Sequence, residues 1–537
     1  MRRTLLRFAF VTVVPIAPLA AQAHEHGPAE RLGRVVFPVS CNAEAQRRFE
    51  HAMALLHSFW WEQGPAAFGA VTAADSTCAM GYWGLALNYW GNPFAGGASG
   101  DNLRQGAAAA ARAVALSAPT ARERGLLAAV SALYRDYETV PNPPRLRAYS
   151  DTLARVYRDH PNDAEVAMYY ALSLVATAPA TDTTFARQKR AAAILNPLFQ
   201  RFPGHPGLAH YIIHANDSPR LAALGLDAAR RYAQIAPSAP HAQHMPSHIF
   251  VRLGLWDETI AANQRAFAAG VAYAEAQRLG GVVPEQFHAL DYMVYGYLQE
   301  GRDSAARATV ADGLARSAVV DARGLVASYN RVAMEARIPL ERGDWVAAAR
   351  LPVRATEANI GAALAHFARG IGAARSGDTA RARAEVAALE AIETALRGQP
   401  GYNWSRIVGI KRQVVAAWLA LATGDTASAV RDARTAAVVE DVTEKHPVTP
   451  GELLPARELE GDLLLAAGRY GDARVAYDAA LSREPGRARS LFGAARAAEL
   501  AGDRAAALAR YRQFLKLMEH ADGGRPEIDR AKAFRMG

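Results

Sequence analysis

The sequence predicts an all-α protein, a superhelical stack of antiparallel helix pairs, on three observations. Apolar residues recur at spacings of three and four nearly throughout the 537 residues, and no long window alternates as a strand does. A turn signature also recurs from Gly254 to Gly502: a glycine, an acidic or aromatic residue one to three positions later, then alanines. A chain this long is either several globular domains or one elongated array without a central core. The recurrence favours the array, in which each hairpin buries its apolar face on the next and the first helices line a concave surface.

Residues 1–23 read as a secretory signal. Arg2, Arg3 and Arg7 form a basic start, Phe8 to Leu19 an apolar run, and Ala21-Gln22-Ala23 a small-residue cleavage site. Cleavage after Ala23 predicts a periplasmic or secreted product, and no other run is long and apolar enough for a membrane span. The new terminus, His24 with His26 two residues on, has the arrangement of an amine-and-imidazole copper chelate, although a flexible end carrying histidines by chance fits equally well. The formal charge is +9, and the signal's three arginines leave +6. That surplus describes a solvated surface and not a nucleic-acid footprint.

Residues 24–40 carry no periodicity and form an extended lead-in. Residues 41–203 read as divergent N-terminal hairpins. Their helices run from Asn42 to Phe59, Pro65 to Ala74, Tyr82 to Trp90, Asn102 to Leu116, Ala121 to Tyr134, Pro144 to Asp159, Ala164 to Ala176 and Phe185 to Phe202. The first two helices return the chain to its starting end, so the two cysteines, Cys41 and Cys78, are placed to form a disulfide in an oxidising compartment, with two free buried thiols as the alternative. Half of the eight tryptophans lie in the stretch His51, His57, Phe59, Trp60, Trp61, Tyr82, Trp83, Tyr89 and Trp90. Such spacing describes core, with an aromatic ligand groove as the alternative.

In residues 204–320, six of the fifteen histidines fall between His205 and His248, and His288 follows on the next first helix. Pro206 starts a helix that Asn216-Asp217-Ser218-Pro219 stops, so His210 and His214 share one face. The hairpin's second helix runs from about Arg220 to Ile235. The next first helix, His241 to Leu253, carries His241, His244 and His248, with Pro246 disfavouring helical geometry at Met245 and placing His244 at a kink or just before the helix proper. Trp256 to Ala276 closes that hairpin. A third first helix, Pro284 to Leu298, offers Glu285, His288 and Asp291.

Equivalent helices of consecutive hairpins line one wall. His210, His214, His244, His248, His288 and Asp291 therefore form a candidate metal site, with His241, Asp217 and Glu285 on the surrounding groove. Imidazole plus carboxylate suits zinc, copper, iron or manganese. His214 near a helix C-terminus is also favoured as imidazolium, which makes an anionic ligand the competitor. Packing between helices accounts for any single one of these histidines. Asp217, Glu258, Glu285 and Asp291 are acid/base candidates, but His210-Tyr211-Ile212-Ile213-His214 lacks the glutamate of a metalloprotease helix. Phosphate loops, nucleophile elbows and zinc-cysteine spacings are likewise missing from the sequence.

Residues 321–522 carry the clearest repeats, and residues 523–537 a short capping helix from Pro526 to Phe534. Gly468-Arg469-Tyr470-Gly471-Asp472-Ala473 recurs 34 residues later as Gly502-Asp503-Arg504-Ala505-Ala506-Ala507, and Tyr477 as Tyr511. With the 34-residue period and Pro485 ending a second helix, these residues resemble the tetratricopeptide repeat (TPR) family. The turn glycines Gly254, Gly301, Gly343, Gly377, Gly424, Gly468 and Gly502 lie at uneven spacings, so the array is degenerate. The stretches Leu208 to Asp217 and His244 to Phe250 look like an exported bacterial subset of that family without a known activity. The resemblance implies a TPR-like solenoid that binds a protein or peptide along its concave face, and it carries over no catalytic residue. The sequence thus describes an exported binding or scaffold protein with a histidine-lined groove; the alternative is a metal-dependent hydrolase or oxidoreductase working in that groove.

Overall fold

The computed structural model describes residues 30–536 other than 95, 180–181, 317–323, 355–358 and 400. The predicted signal, its cleavage point and the His24/His26 chelate lie outside the described residues. The described residues form stacked helical hairpins and no β-sheet. Helices Ala121–Tyr134, Ala164–Ala176, Pro206–Asn216 and Trp256–Ala276 have the expected bounds, and most others shift by one to three residues. No helix among the described residues is long and apolar enough to cross a membrane.

The turn signature has a direct physical reading. All seven signature glycines adopt positive φ, from 65° to 90°. The aspartate that follows four of them caps the next helix: Asp344, Asp378, Asp425 and Asp503 each accept from the backbone N–H three residues on, at 3.0 Å. Glycine ends one helix in the left-handed conformation and aspartate begins the next. Gly254 has a second constraint, because a Cβ there would stand 2.1 Å from the carbonyl oxygen of Pro485.

That contact belongs to a long-range seam. Trp256 Nε1 donates to the Gly486 carbonyl at 2.9 Å, the Ala488 N–H to Gln299 Oε1 at 3.0 Å, and the Asp522 N–H to the Gly301 carbonyl at 3.1 Å. The C-terminal hairpins therefore pack on the hairpins of residues 254–303. The connection between helices Thr426–Asp441 and Ala456–Ala466 lies against the first helices Pro284–Gln299 and Leu325–Glu341, where Arg337 donates to the carbonyls of Gly451 and Glu452. The inner wall near the histidines is covered by chain.

At the other end, Cys41 and Cys78 form a disulfide with Cα atoms 5.0 Å apart. The described part of the lead-in is extended but not loose: Phe37 is fully buried between Phe49 and Trp83, and the Arg34 N–H donates to the Gly204 carbonyl at 3.0 Å. Most of the aromatic stretch is core, with Phe49, Phe68 and Trp83 packed edge to face or tilted. His57 and Phe59 are the exceptions, and both turn toward the histidine block.

Candidate metal centre

Helix Pro206–Asn216 places His210 and His214 one turn apart, and their Nε2 atoms meet at 3.0 Å. His241, on helix Pro240–His244, brings its Nε2 to 3.2 Å from that of His210. One ring nitrogen from each of these three histidines lies within 4.8 Å of the other two. A second triad, His244, His248 and His288, satisfies the same condition, with the Nε2 atoms of His244 and His248 3.1 Å apart. His241, assigned from sequence to the groove, thus stands in the first triad.

Pro246 does less than its ring suggests. Met245 keeps helical dihedrals, φ −52° and ψ −36°, and its N–H still donates to the His241 carbonyl at 2.9 Å. Because the turn continues, His244 and His248 retain the one-turn spacing that a kink would have spoiled. The hairpin's expected second helix, by contrast, begins late: a 3-10 turn, Ala222–Gly225, precedes Leu226–Ile235.

The partners of the opposite ring nitrogens fix the tautomers. His210 Nδ1 lies 2.7 Å from the His57 carbonyl oxygen, which only accepts, so Nδ1 carries the proton. His248 Nδ1 donates to Asp217 Oδ2 at 2.9 Å. His244 Nδ1 donates to Asn263 Oδ1 at 2.7 Å, and the amide is oriented by its Nδ2, which donates to the Thr259 carbonyl at 2.8 Å. Neutral His244 and His248 therefore direct two Nε2 lone pairs at each other. Such an arrangement is stable around a cation and repulsive without one. His288 adds a buried Nδ1 with no hydrogen-bond partner.

Other groups position the triads. Asp217, expected in the groove, is paired with both His248 and Arg252 Nε, the latter at 2.9 Å. Phe59 sits at φ 52°, an outlying conformation for a bulky residue, and its ring centroid lies 4.4 Å from that of His210 and 5.7 Å from that of His241. Phe94 stacks on His214 at 4.3 Å. Lys445, from the covering connection, is half-buried, and desolvation lowers its ammonium to about 8. Behind the first triad, Glu165 accepts from His57 Nε2 and His205 Nε2, both at 3.0 Å, while His57 Nδ1 meets the Tyr211 hydroxyl at 2.9 Å. Burial pushes the Glu165 carboxyl up, but the two imidazoles pull it down to about 2.

Asp291 stands apart. Both of its oxygens accept from Arg337, at 2.7 and 3.1 Å, and both side chains are fully buried. The spacing from His288 that suggested a ligand places it instead against a guanidinium 46 residues on. Glu285 lines a small cavity together with His241, His244 and His288, and Glu258 is bound to Arg230 at 2.9 Å.

Burial, followed by neighbouring imidazoles, holds His210, His214, His241 and His288 well below the ordinary imidazole value, and His244 at about 3. These groups stay neutral in the folded chain where the unfolded chain takes up protons. Stability of the metal-free protein is therefore full above pH 6.5 and is lost as pH falls below it, continuing toward pH 3 for His244. Each such histidine withdraws up to about 1.4 kcal/mol per pH unit. Thermal melts of chelator-treated protein at pH 7, 6 and 5 check this; the expected outcome is a midpoint that drops at each step, and an unchanged midpoint contradicts the burial of neutral rings.

Solved structures similar to this chain include yeast Tom70, at 10% identity over 92% of this chain and 96% of that one, with a TM-score of 0.34. Human IFIT1, solved as a dimer with m7Gppp-AAAA, aligns at 12% identity over 89% of this chain and 96% of its own, with a TM-score of 0.38. The APC/C hetero-tetramer Cut9–Hcn1 aligns at 12% over 91% and 84%, with a TM-score of 0.33. No family model and no curated protein matches the chain.

Proposed function

We propose that this chain is an exported, tetratricopeptide-type helical-repeat protein whose function is to hold transition-metal ions on two histidine triads, His210/His214/His241 and His244/His248/His288. The observation that carries the reading is the facing pair of Nε2 lone pairs on His244 and His248, 3.1 Å apart, with both Nδ1 protons committed to Asn263 and Asp217. A packing role requires no such convergence, since one donor and one acceptor satisfy a core imidazole. An anion would need imidazolium, and burial opposes that charge at the same rings. Neutral imidazoles supported by a carboxylate and an amide oxygen are the donors that zinc, copper, nickel or iron take.

The test is metal uptake by the mature chain stripped with a chelator. One or two equivalents of zinc or copper bind per chain, and the melting midpoint rises with metal concentration, by about 2.7 kcal/mol of stability at a hundredfold excess over Kd. A folded chain that takes up neither metal, with a midpoint indifferent to both, overturns the reading.

A further inference from the structure

Glu165 pairs with no lysine or arginine among the described residues. Its ion pairs are with His57 and His205, one imidazole on each carboxylate oxygen, both at 3.0 Å. The side chains of His57, Glu165 and His205 are 0%, 4% and 7% exposed. Two neutral rings satisfy both oxygens as hydrogen-bond donors, but the negative charge then stays buried without a counter-charge, which is costly. The counter-charge belongs on the imidazoles or between them.

Three helices bring these groups together. His57 is the last residue of helix Ala43–His57, Glu165 lies in the first turn of Ala164–Ala176, and His205 immediately precedes Pro206–Asn216. Gly207 admits the His57 ring, since a Cβ there would stand 2.5 Å from its Nδ1. One ligand atom from each of the three residues lies within 4.8 Å of the other two, the condition that both histidine triads meet. The ring centroids of His57 and His205 are 4.9 Å apart, against 4.7 Å for His210/His214 and 5.0 Å for His244/His248.

We infer that His57, Glu165 and His205 bind a divalent transition-metal ion, in a third site that differs from the two triads by its carboxylate. The inference goes beyond the two-triad reading and stands on its own donors. An ion takes the place of the two Nε2 protons: that of His57 moves to Nδ1, where the Tyr211 hydroxyl at 2.9 Å can accept it, and that of His205 to an Nδ1 without a partner. Two imidazoles and a carboxylate are a set that zinc takes in sites with three protein ligands. The carboxylate offsets part of the charge of a divalent ion, which the all-imidazole triads do not. All three residues are buried, whereas each triad keeps at least one partly exposed histidine, so exchange is slowest here. His57 also joins the site to the first triad, because its carbonyl accepts the His210 Nδ1 proton at 2.7 Å.

The experiment holds the chelator-treated mature chain and His205→Ala in zinc until the bound zinc per folded chain is constant. His205 supplies no donor to either triad, so the variant is expected to bind one equivalent fewer than the parent. Equal zinc in the two proteins overturns the third site, since a proton then balances Glu165, and the zinc that both hold belongs to the triads. One equivalent in the parent and none in the variant supports the third site and ends the triad reading. No zinc in either ends both. Should His205→Ala not fold, anomalous scattering at the zinc edge from crystals of the zinc-loaded parent decides. A peak about 2.0–2.2 Å from both Nε2 atoms and a Glu165 oxygen supports the site, and peaks at the triads alone, or nowhere, overturn it.

Discussion

Alanine at both His244 and His248 is expected to empty the second triad and to weaken binding of its metal by at least about a hundredfold, the upper range for loss of a mere supporting group. Two of three nitrogen donors disappear, and His288 alone cannot hold an ion against water. The first triad keeps all its donors, so metal content per folded chain falls to what His210, His214 and His241 retain. The supporting shell grades the effect. Asp217→Asn leaves every donor nitrogen in place but removes the carboxylate that holds the proton on His248 Nδ1, and a loss of about 10–100-fold is expected. His446→Ala is the control. That ring packs between Tyr402 and Trp404 and belongs to neither triad, and its removal leaves metal content unchanged. Equilibrium titration of the three variants and the parent, at matched folded concentration, checks the order. Equal affinity in parent and His244→Ala/His248→Ala contradicts the assignment of the second triad.

Local signals carried most of the fold. Glycine followed by aspartate marks a helix end and the next N-cap, both set within a few residues, and the helix pairs appear where those signals stand. The histidine block was legible for the same reason: His210/His214 and His244/His248 are each one turn apart, and one-turn neighbours share a face in any helix. The groups that finish the site leave no such trace. The His57 carbonyl reaches His210 across 153 residues, and Glu165 joins His57 and His205 across 108 and 40. Asn263 and Lys445 arrive from a second helix and from a distant connection. Nothing in the local pattern distinguishes them from other polar residues. The chain that covers the inner wall leaves no local trace for a related reason, because where the connection after helix Thr426–Asp441 packs is decided by surfaces and not by periodicity.

Asp291 shows how spacing misleads when the deciding partner is remote, and its replacement gives the second large effect. Three residues beyond His288 on a helix, it shares a face with a metal-triad residue, yet its carboxylate is fully occupied by Arg337. Asp291→Ala leaves a buried guanidinium without its counter-charge, and a loss of about 3–5 kcal/mol of stability is expected. Arg337 would still donate to Thr449 Oγ1 and the carbonyls of Gly451 and Glu452, so the covering connection stays attached while the charge goes unbalanced. Asp291→Leu/Arg337→Met removes both charges and recovers part of the loss, since the pair's attraction largely offsets its desolvation while the bonds from Arg337 to Thr449, Gly451 and Glu452 are lost. Metal bound per folded chain is the same in all three proteins, because Asp291 supplies no donor. Denaturant titrations read the stability and metal titrations the site. If Asp291→Ala kept full stability but lost metal, the carboxylate would be a ligand after all, and its bond to Arg337 would belong to the metal-free chain alone.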